Sequence, residues 1–304
     1  MQKIIAPINK DLLVEEISRA KFVRKTNKDN NLLYIISWKD SPNLMREIGR
    51  LREISYRKVG SGTGKDCDID SLDKSPRGYK QLIVWDPAIE EILGGYRFMM
   101  CAEAEQREKN QYVLGTSRLF SYSDEFIEKY LPHTIELGRS FIQPQYQSTE
   151  SIRKSLFVLD NLWDGLGSLL IEYPSVKYFL GQVSLFTTKN VKSRELILHF
   201  LRKFFPNKKQ LVSVNDPVRI NIDSNLFDET FNGNTLRENI KILSREVRKL
   251  GETIPPLINI YMNISPTMQT FGTVSNPYFK HMDDTGILMT IDDIYTIKKE
   301  RHLK

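Results

Sequence analysis

The sequence from residue 81 to residue 99, QLIVWDPAIEEILGGYRFM, contains two apolar segments that flank Pro87. Residues 81–86 and 92–99 have the length and the β-branched and aromatic composition of strands. Two such segments joined by a short connection that contains a proline predict an antiparallel hairpin. The hairpin is the first element of a predicted sheet.

Outward from this hairpin, strand-like and helix-like segments alternate. Strand composition recurs at residues 32–36, 134–142, 178–185 and 286–291. Helical spacing of apolar residues follows the cap at residues 7–10 and recurs at 44–55, 124–130 and 156–173, whereas Pro255-Pro256 opens a helix or an extended segment. Mixed strands and helices without a linker favour one α/β domain over two. Residues 187–253 are helical and charged, with a polar stretch at 206–225.

The composition is that of a globular protein, with 40% hydrophobic and 27% charged residues in a chain of 304. The net charge of +6 fits an acidic protein partner or an anionic membrane surface, and the spread of the basic residues argues against nucleic acid. The N-terminus has no signal-peptide pattern, and the apolar segments are shorter than the roughly 20 residues of a membrane-spanning helix. We therefore expect a cytoplasmic protein that is soluble or peripheral at the inner face of the membrane.

A basic helix face precedes a glycine-rich turn. Arg52, Tyr56 and Arg57 lie on this face, and the turn covers residues 60–64. Glycines expose backbone N–H groups and arginines bind phosphate, so this region suits an anion, although a solvated helix face has the same pattern. The turn lacks the GK[ST] ending of a phosphate-binding P-loop, because Asp66 follows Lys65.

Two further groups of charged residues are candidates for chemistry. Asp68, Asp70 and Asp73 lack the spacing of a calcium-binding EF-hand, so they are expected to pair with the arginines or to bind a cation or a substrate ammonium. On the predicted strand 134–142, Glu136 and Gly138 point to one face and Leu137 and Arg139 to the other. A carboxylate such as Glu136 that faces a cleft suits a general base toward an amine.

The remaining residue types exclude several classes of enzyme. The four histidines and two cysteines show no metal-ligand spacing, and no GxSxG nucleophile motif occurs. We therefore expect no metal and no bound cofactor.

In order along the chain, the motifs resemble those of the bacterial ornithine-lipid and glycine-lipid N-acyltransferases, often labelled hemolysin-like. The similar residues are Arg52-x-x-x-Tyr56-Arg57, Asp68-x-Asp70-x-x-Asp73, the hairpin 82–97, residues 136–142, 162–166 and 178–181, Pro255-Pro256-Leu257-Ile258 with Tyr261, and residues 287–291. The resemblance covers about residues 45–295. It implies a GNAT-like fold in one domain over residues 1–304, with a core at about 45–186 and 254–295 and a helical insertion at about 187–253.

The resemblance also implies an activity. The donor is a fatty acyl group, often 3-hydroxylated, on acyl carrier protein, and this thioester is a co-substrate. The acceptor is the amino group of a small amino acid, glycine or ornithine, and a partner O-acyltransferase completes the lyso-aminolipid product. GNAT enzymes hold acetyl-CoA through a glycine-containing pyrophosphate loop, but residues 148–155 contain no glycine, which fits a carrier-protein donor.

Roles follow for the charged residues. Glu136 is expected to act as the base and Arg139, with Arg97, to orient it or to bind the acceptor carboxylate. Asp70 and Asp73 are expected to hold Arg52 in place. Arg52 and Arg57 are expected to dock the acidic carrier protein, and backbone N–H groups near Val183 to polarise the thioester.

Two other functions remain open at this point. An acyl-homoserine-lactone synthase has the same order of acidic and basic residues, but Val59-Gly60 replaces its usual tryptophan and this chain is longer. A non-catalytic lipid- or membrane-binding protein would fit the hemolysin-like label, but the sequence has no long amphipathic helix of the membrane-surface type.

Overall fold

The computed structural model describes residues 1–108, 110–147, 152–187 and 190–302. Over these residues the strands are β1 Lys21–Lys25, β2 Leu32–Ile36, β3 Lys80–Asp86, β4 Glu91–Met100, β5 Gln106–Glu108, β6 Gln111–Tyr112, β7 Phe120–Tyr122, β8 Thr134–Ile142, β9 Tyr178–Phe186, β10 Val212–Val214, β11 Gln269–Ser275 and β12 Met282–Thr290. The helices are α1 Lys10–Arg19, α2 Pro42–Lys58, α3 Ser71–Lys74, α4 Ile152–Glu172, α5 Val191–Phe204, α6 Ser224–Thr230, α7 Leu236–Lys249, α8 Pro256–Met262 and α9 Thr296–His302. A π-helix at Phe126–Tyr130 lies in the helix predicted at 124–130.

The described strands form one large mixed sheet. Its order is β1-β2-β3-β4-β8-β9-β12-β11, and neighbouring strands are antiparallel except for the parallel pair β8 and β9. The hairpin predicted from residues 81–99 is confirmed as β3 and β4, which pair from Lys80 opposite Phe98 to Asp86 opposite Glu91. The predicted α/β class is therefore confirmed.

Helices cover both faces of the sheet because the strands alternate their apolar side chains. Leu82 and Val84 of β3 pack into the core beneath α4, α5, α7 and α8. Ile83 and Trp85 of the same strand pack on the opposite face, against α1 and α2. A third apolar cluster on that opposite face joins residues 99–131 to β9 and β12.

Several elements were not predicted from the sequence. Edge strand β1, KFVRK, is mostly charged or exposed, as edge strands commonly are. Edge strand β11 is largely polar, and Gly272 interrupts its pairing at a φ of 98°. Strands β1 and β2 precede residue 45 but belong to the same sheet as the predicted core. The segment 187–253 is not wholly helical, because β10 within it pairs with β7.

A cleft opens where the two parallel strands diverge. β8 and β9 pair only from Thr134 opposite Tyr178 to Glu136 opposite Leu180. One extra residue of β8 forms a bulge against β4, between Gly138 and Phe141, and Arg139 there has a φ of 53°. A bulge bends its strand and re-aims a side chain. The bulge therefore lies at the point where the sheet separates.

Candidate active site

The cleft between β8 and β9 contains a cavity of about 580 Å³. Its walls come from both faces of the sheet: Leu162 and Leu257 belong to the α4 and α8 side, whereas Tyr79 and Glu136 belong to the opposite side. The polar wall is formed by Arg97, Arg118, Glu136, Arg139 and Asp284. The two predicted catalytic residues, Glu136 and Arg139, are therefore brought to one cavity.

Glu136 is buried, and its carboxylate is held by a turn of the chain. Oε1 accepts hydrogen bonds from the Thr116 backbone N–H at 2.6 Å and from the Thr116 hydroxyl, and Oε2 accepts one from the Gly115 N–H at 3.0 Å. Burial raises the pKa of Glu136 to about 7, although the N–H groups of Thr116 and Gly115 act to lower it. A carboxyl that titrates near neutrality is suited to proton transfer at the pH of the cell.

Arg139 does not point away from Glu136, as the alternation of an unbroken strand predicted. The bulge at Arg139 turns its side chain toward the face that carries Glu136, where Nη1 lies 2.9 Å from both carboxylate oxygens of Asp68. Its other terminal nitrogen lies 3.7 Å from Asp70. The predicted alternation is wrong at this residue because one extra residue in the strand reverses the side-chain direction.

The arginines and aspartates of the sequence motifs form one buried cluster. Asp70 lies 3.1 Å from Arg97 and 3.5 Å from Arg118. Burial alone would raise the pKa of Asp70, but Arg97, Arg139 and Arg118 together hold it well below its usual range. Asp70 also caps α3, in a reciprocal capping box with Asp73. The carboxylates of the cluster are therefore fixed both by ion pairs and by a helix terminus.

Arg52 is fully buried, and this overturns its predicted role in docking a carrier protein. A side chain without exposed surface cannot contact a macromolecular partner. Its guanidinium instead donates to Gln81 and lies 3.4 Å from the carboxylate of Asp73. Asp70 pairs with the other arginines of the cluster and not with Arg52.

Arg57, the second residue predicted to dock the carrier, is largely engaged within the chain. Its guanidinium bonds Glu53 at 2.7 Å, the Gln2 carbonyl at 2.8 Å and the Lys65 carbonyl. These contacts connect α2 to the N-terminus and to the end of the glycine turn 60–64. The turn itself binds the Glu53 carboxylate through the N–H groups of Thr63 and Gly64.

Three arginines of the polar wall stack on aromatic rings. Arg97 lies 4.7 Å from the ring centre of Tyr79, and Arg139 lies 4.4 Å from that of Phe279. Arg118 lies 5.5 Å from the ring centre of Tyr278. Stacking occupies the flat face of a guanidinium and leaves its N–H edge available for carboxylates. Within the part of the chain that the structure describes, buried Arg97 Nε has no hydrogen-bond partner.

Several residues of the site were missed by the sequence analysis. Asp284 of β12 lines the cavity, where its carboxylate accepts from Gln182 at 2.9 Å, from Ser184 at 2.5 Å and from Asn276. Burial raises its pKa. Thr116 and Gly115, which hold Glu136, were also missed. Glycine followed by hydroxyl residues at 115–117 was the available signal, because such turns often offer N–H groups to an anion.

An apolar channel adjoins the polar cavity, with which it shares Leu137, Leu162 and Leu257. Its volume is about 90 Å³, and most of the remaining wall is apolar or aromatic, from Tyr96, Trp163, Leu166, Phe179, Leu180, Tyr261, Ile287 and Met289. Arg139, Ser140 and Gln182 also line it, on the side of the polar cavity. The channel runs between α4 and α8, above β9 and β12. It therefore offers an apolar environment next to the polar wall.

No cluster of three or more histidine, cysteine or acidic residues in the described part of the chain has an arrangement that could hold a metal ion. No described helix has the length and apolar character needed to cross a bilayer. The loop predicted to replace the pyrophosphate site begins at residues 148–151, which lie outside the described residues.

The chain is similar to known acyltransferases. A family model described as an acetyltransferase (GNAT) domain matches residues 51–156. The glycine N(alpha)-acyltransferases of Phocaeicola vulgatus and Bacteroides thetaiotaomicron are each 47% identical to the chain over 304 residues. These matches cover 100% of this chain and 93% and 90% of the two relatives.

Two solved structures are similar at a lower level. An N-acyl amino acid synthase from uncultured soil microbes is 12% identical, with 50% of this chain and 71% of that chain covered and a TM-score of 0.31. A GNAT-family acetyltransferase from Bacillus anthracis is 8% identical, with 88% and 98% covered and a TM-score of 0.32.

The mixed sheet and the family match define an acyltransferase of the GNAT class. With 47% identity over its full length, the chain belongs to the family of the glycine N-acyltransferases. The resemblance noted from the sequence motifs is therefore confirmed.

We predict that Arg52→Met will lower the free energy of unfolding by about 3 kcal/mol, because the change removes one of the two arginines that pair with buried Asp73 and leaves Arg97, 3.6 Å away. Urea unfolding followed by circular dichroism measures the effect. Arg46→Met is the matched control, since Arg46 is exposed on the same helix and its loss should change stability by no more than about 0.5 kcal/mol. Equal unfolding midpoints for the two variants would contradict the structural role of Arg52.

Proposed function

We propose that this enzyme transfers a fatty acyl group from the thioester of an acyl carrier protein to the amino group of glycine. The observation that carries the proposal is the position of Glu136, a buried carboxylate beside an arginine-rich wall, in a cleft that adjoins an apolar channel. The names of the two relatives support glycine over ornithine as the acceptor. The N-acyl product is a lyso-aminolipid that a separate O-acyltransferase completes.

The amine must lose a proton before it attacks, because an amino acid carries an ammonium group at neutral pH. Glu136 takes this proton, and the neutral nitrogen then bonds to the thioester carbonyl carbon. The carbon–sulfur bond breaks as the tetrahedral intermediate collapses, and the leaving thiolate takes up the second proton that this nitrogen loses as it becomes an amide. Arg97 and Arg118, which line the same cavity, are placed to receive the carboxylate of the acceptor.

The divergence of the strands supports a site for the thioester carbonyl. Among the described residues, β8 and β9 do not pair beyond Glu136 and Leu180, so the edge of β9 near Val183 faces the cleft rather than a strand. Backbone N–H groups on such an edge can stabilise the oxyanion that forms during acyl transfer. Val183 and Gln182 both line the cavity.

Three features support the proposed donor. The apolar channel, with a volume of about 90 Å³, suits part of an aliphatic chain. The net charge of +6 favours an acidic carrier protein, and residues 148–155 lack the glycines with which GNAT enzymes bind a pyrophosphate. With Arg52 buried, the carrier must contact other basic residues.

We expect purified protein with 3-hydroxypalmitoyl carrier protein and glycine to yield N-acylglycine, measured by mass spectrometry. Ornithine, serine and lysine serve as competing acceptors, and the corresponding coenzyme A thioester as the competing donor. N-acylornithine as the main product would overturn the acceptor. Equal rates with both thioesters would overturn the preference for the carrier, and liposome binding without any transfer would favour a lipid-binding protein.

We expect Glu136→Gln to lower kcat/KM by about 10²–10⁴, because the amide cannot accept the proton. Since the pKa of Glu136 is about 7, the wild-type kcat/KM should rise as pH increases through 7, and the variant should lose this rise. Glu128→Gln, at an exposed position, is the control. Unchanged turnover in Glu136→Gln would remove Glu136 from the mechanism.

We expect Leu257→Trp to lower the rate with a long-chain donor by about tenfold relative to an acetyl donor, because Leu257 lines both the cavity and the channel. Steady-state rates with acyl chains of graded length test this. Asn259→Trp is the matched control, as Asn259 is exposed on the same helix and lines neither space. A uniform loss across all chain lengths would argue against the channel as the acyl site.

A further inference from the structure

The two oxygens of the Glu136 carboxylate are not equivalent. Oε1 accepts two hydrogen bonds, both from Thr116, whereas Oε2 accepts one, from the Gly115 N–H, counting the described residues alone. A carboxylate oxygen has about two lone-pair sites. Oε1 is therefore saturated, and Oε2 retains the site that can accept a proton.

A second hydrogen bond fixes the direction of the Thr116 hydroxyl. An ionised carboxylate only accepts, so the Thr116 hydroxyl donates its single proton to Oε1. The Tyr122 hydroxyl lies 2.6 Å from the same Thr116 oxygen and must then donate to it. Burial raises the pKa of Tyr122, which keeps this donor protonated. Tyr122 is itself held by stacking on Phe126, with the ring centres 5.1 Å apart.

The free side of Glu136 opens toward Arg97. A methyl group placed on Gly115 would lie 3.3 Å from Arg97 Nη2 and 3.6 Å from each oxygen of Glu136. The missing side chain at residue 115 therefore leaves a gap between the carboxylate and the guanidinium.

We propose that Thr116, ordered by Tyr122, is the positioning residue that occupies Oε1 and leaves Oε2 as the proton-accepting atom of Glu136. The proposal rests on the proposed function, in which Glu136 is the base. Tyr122 donates a hydrogen bond to the Thr116 hydroxyl, and that hydroxyl donates one to Glu136. Because both bonds are directed toward the carboxylate, they favour its ionised form.

Other titratable or charged groups face Glu136 from neighbouring elements. Arg97 of β4 borders the gap, and Tyr79, which precedes β3, accepts the Gly115 N–H at 2.8 Å. Cys101, at the end of β4, contacts the Glu136 backbone, and burial raises its pKa to about 12. Arg118 and Arg139 line the same cavity. The Thr116 variants leave all these groups in place, so a change in titration reports the hydroxyl.

The test compares Thr116→Val, which removes the hydroxyl and keeps the shape and the N–H group, with Thr116→Ser, which keeps both donors. In Thr116→Val, we expect the acid limb of the kcat/KM profile for glycine to move up by about one pH unit. The rate then falls about tenfold at pH 6 and much less at pH 9. Thr116→Ser should follow the wild type, and Tyr122→Phe should shift the limb in the same direction by a smaller amount.

An unmoved acid limb in Thr116→Val would overturn the proposal, even if the rate fell, because a purely structural role lowers the rate at every pH. The Glu136 carboxyl is also titrated directly by NMR in ¹³C-glutamate-labelled protein, with Glu136→Gln to assign the signal. A wild type that acylates no amino acid, but whose Glu136 pKa rises in Thr116→Val, would refute the proposed function and retain the positioning role. An unchanged pKa would refute the positioning role alone.

Discussion

The short parallel pairing of β8 and β9 is the constraint on which the site depends. In a sheet that is otherwise antiparallel, these strands share only residues 134–136 and 178–180 before they separate. Separation leaves backbone groups of two central strands without a partner strand, an arrangement that is costly unless the space is polar or accessible. The bulge at Arg139 lies at this opening, and Arg139 is one of the charged residues in its wall. The same irregularity of β8 therefore belongs both to the sheet and to the wall of the site.

The charged cluster beside the opening fixes the elements that surround it. Ion pairs join α2 and α3 to β4 and β8. They connect the arginines 52, 97, 118 and 139 with the aspartates 68, 70 and 73. Buried ion pairs contribute little net stability because desolvation offsets their attraction, but they enforce geometry since a lone buried charge is costly. Arg97, Arg118 and Arg139 of this cluster also line the cavity, together with Glu136 and Asp284.

The sequence predicted the β3–β4 hairpin, strands β8 and β9 and helices α2 and α4, because their apolar patterns are regular. It also selected Glu136, Arg97 and Arg139, since charged residues in apolar segments stand out, and Asp70 and Asp73, which belong to a dense acidic segment. The sequence analysis predicted an exposed Arg52 because it lies on the charged face of its helix. In the structure, residues 66–73 cover this face and bury Arg52. Thr116, Tyr122 and Asp284 were missed, because nothing local marks a side chain whose role arises from contact across the fold.

The cleft passes through the sheet, and its lining differs in polarity between the two faces. The face of α4 and α8 offers the apolar channel, whereas the opposite face offers arginines, Glu136 and Asp284. In the proposed reaction, an apolar acyl thioester and a zwitterionic acceptor would approach from opposite sides of the sheet, and neither would have to leave before the other enters. Such access favours a direct encounter of both substrates in one ternary complex. The acyl group then never needs to rest on the protein, and the chemistry requires no nucleophilic side chain of its own.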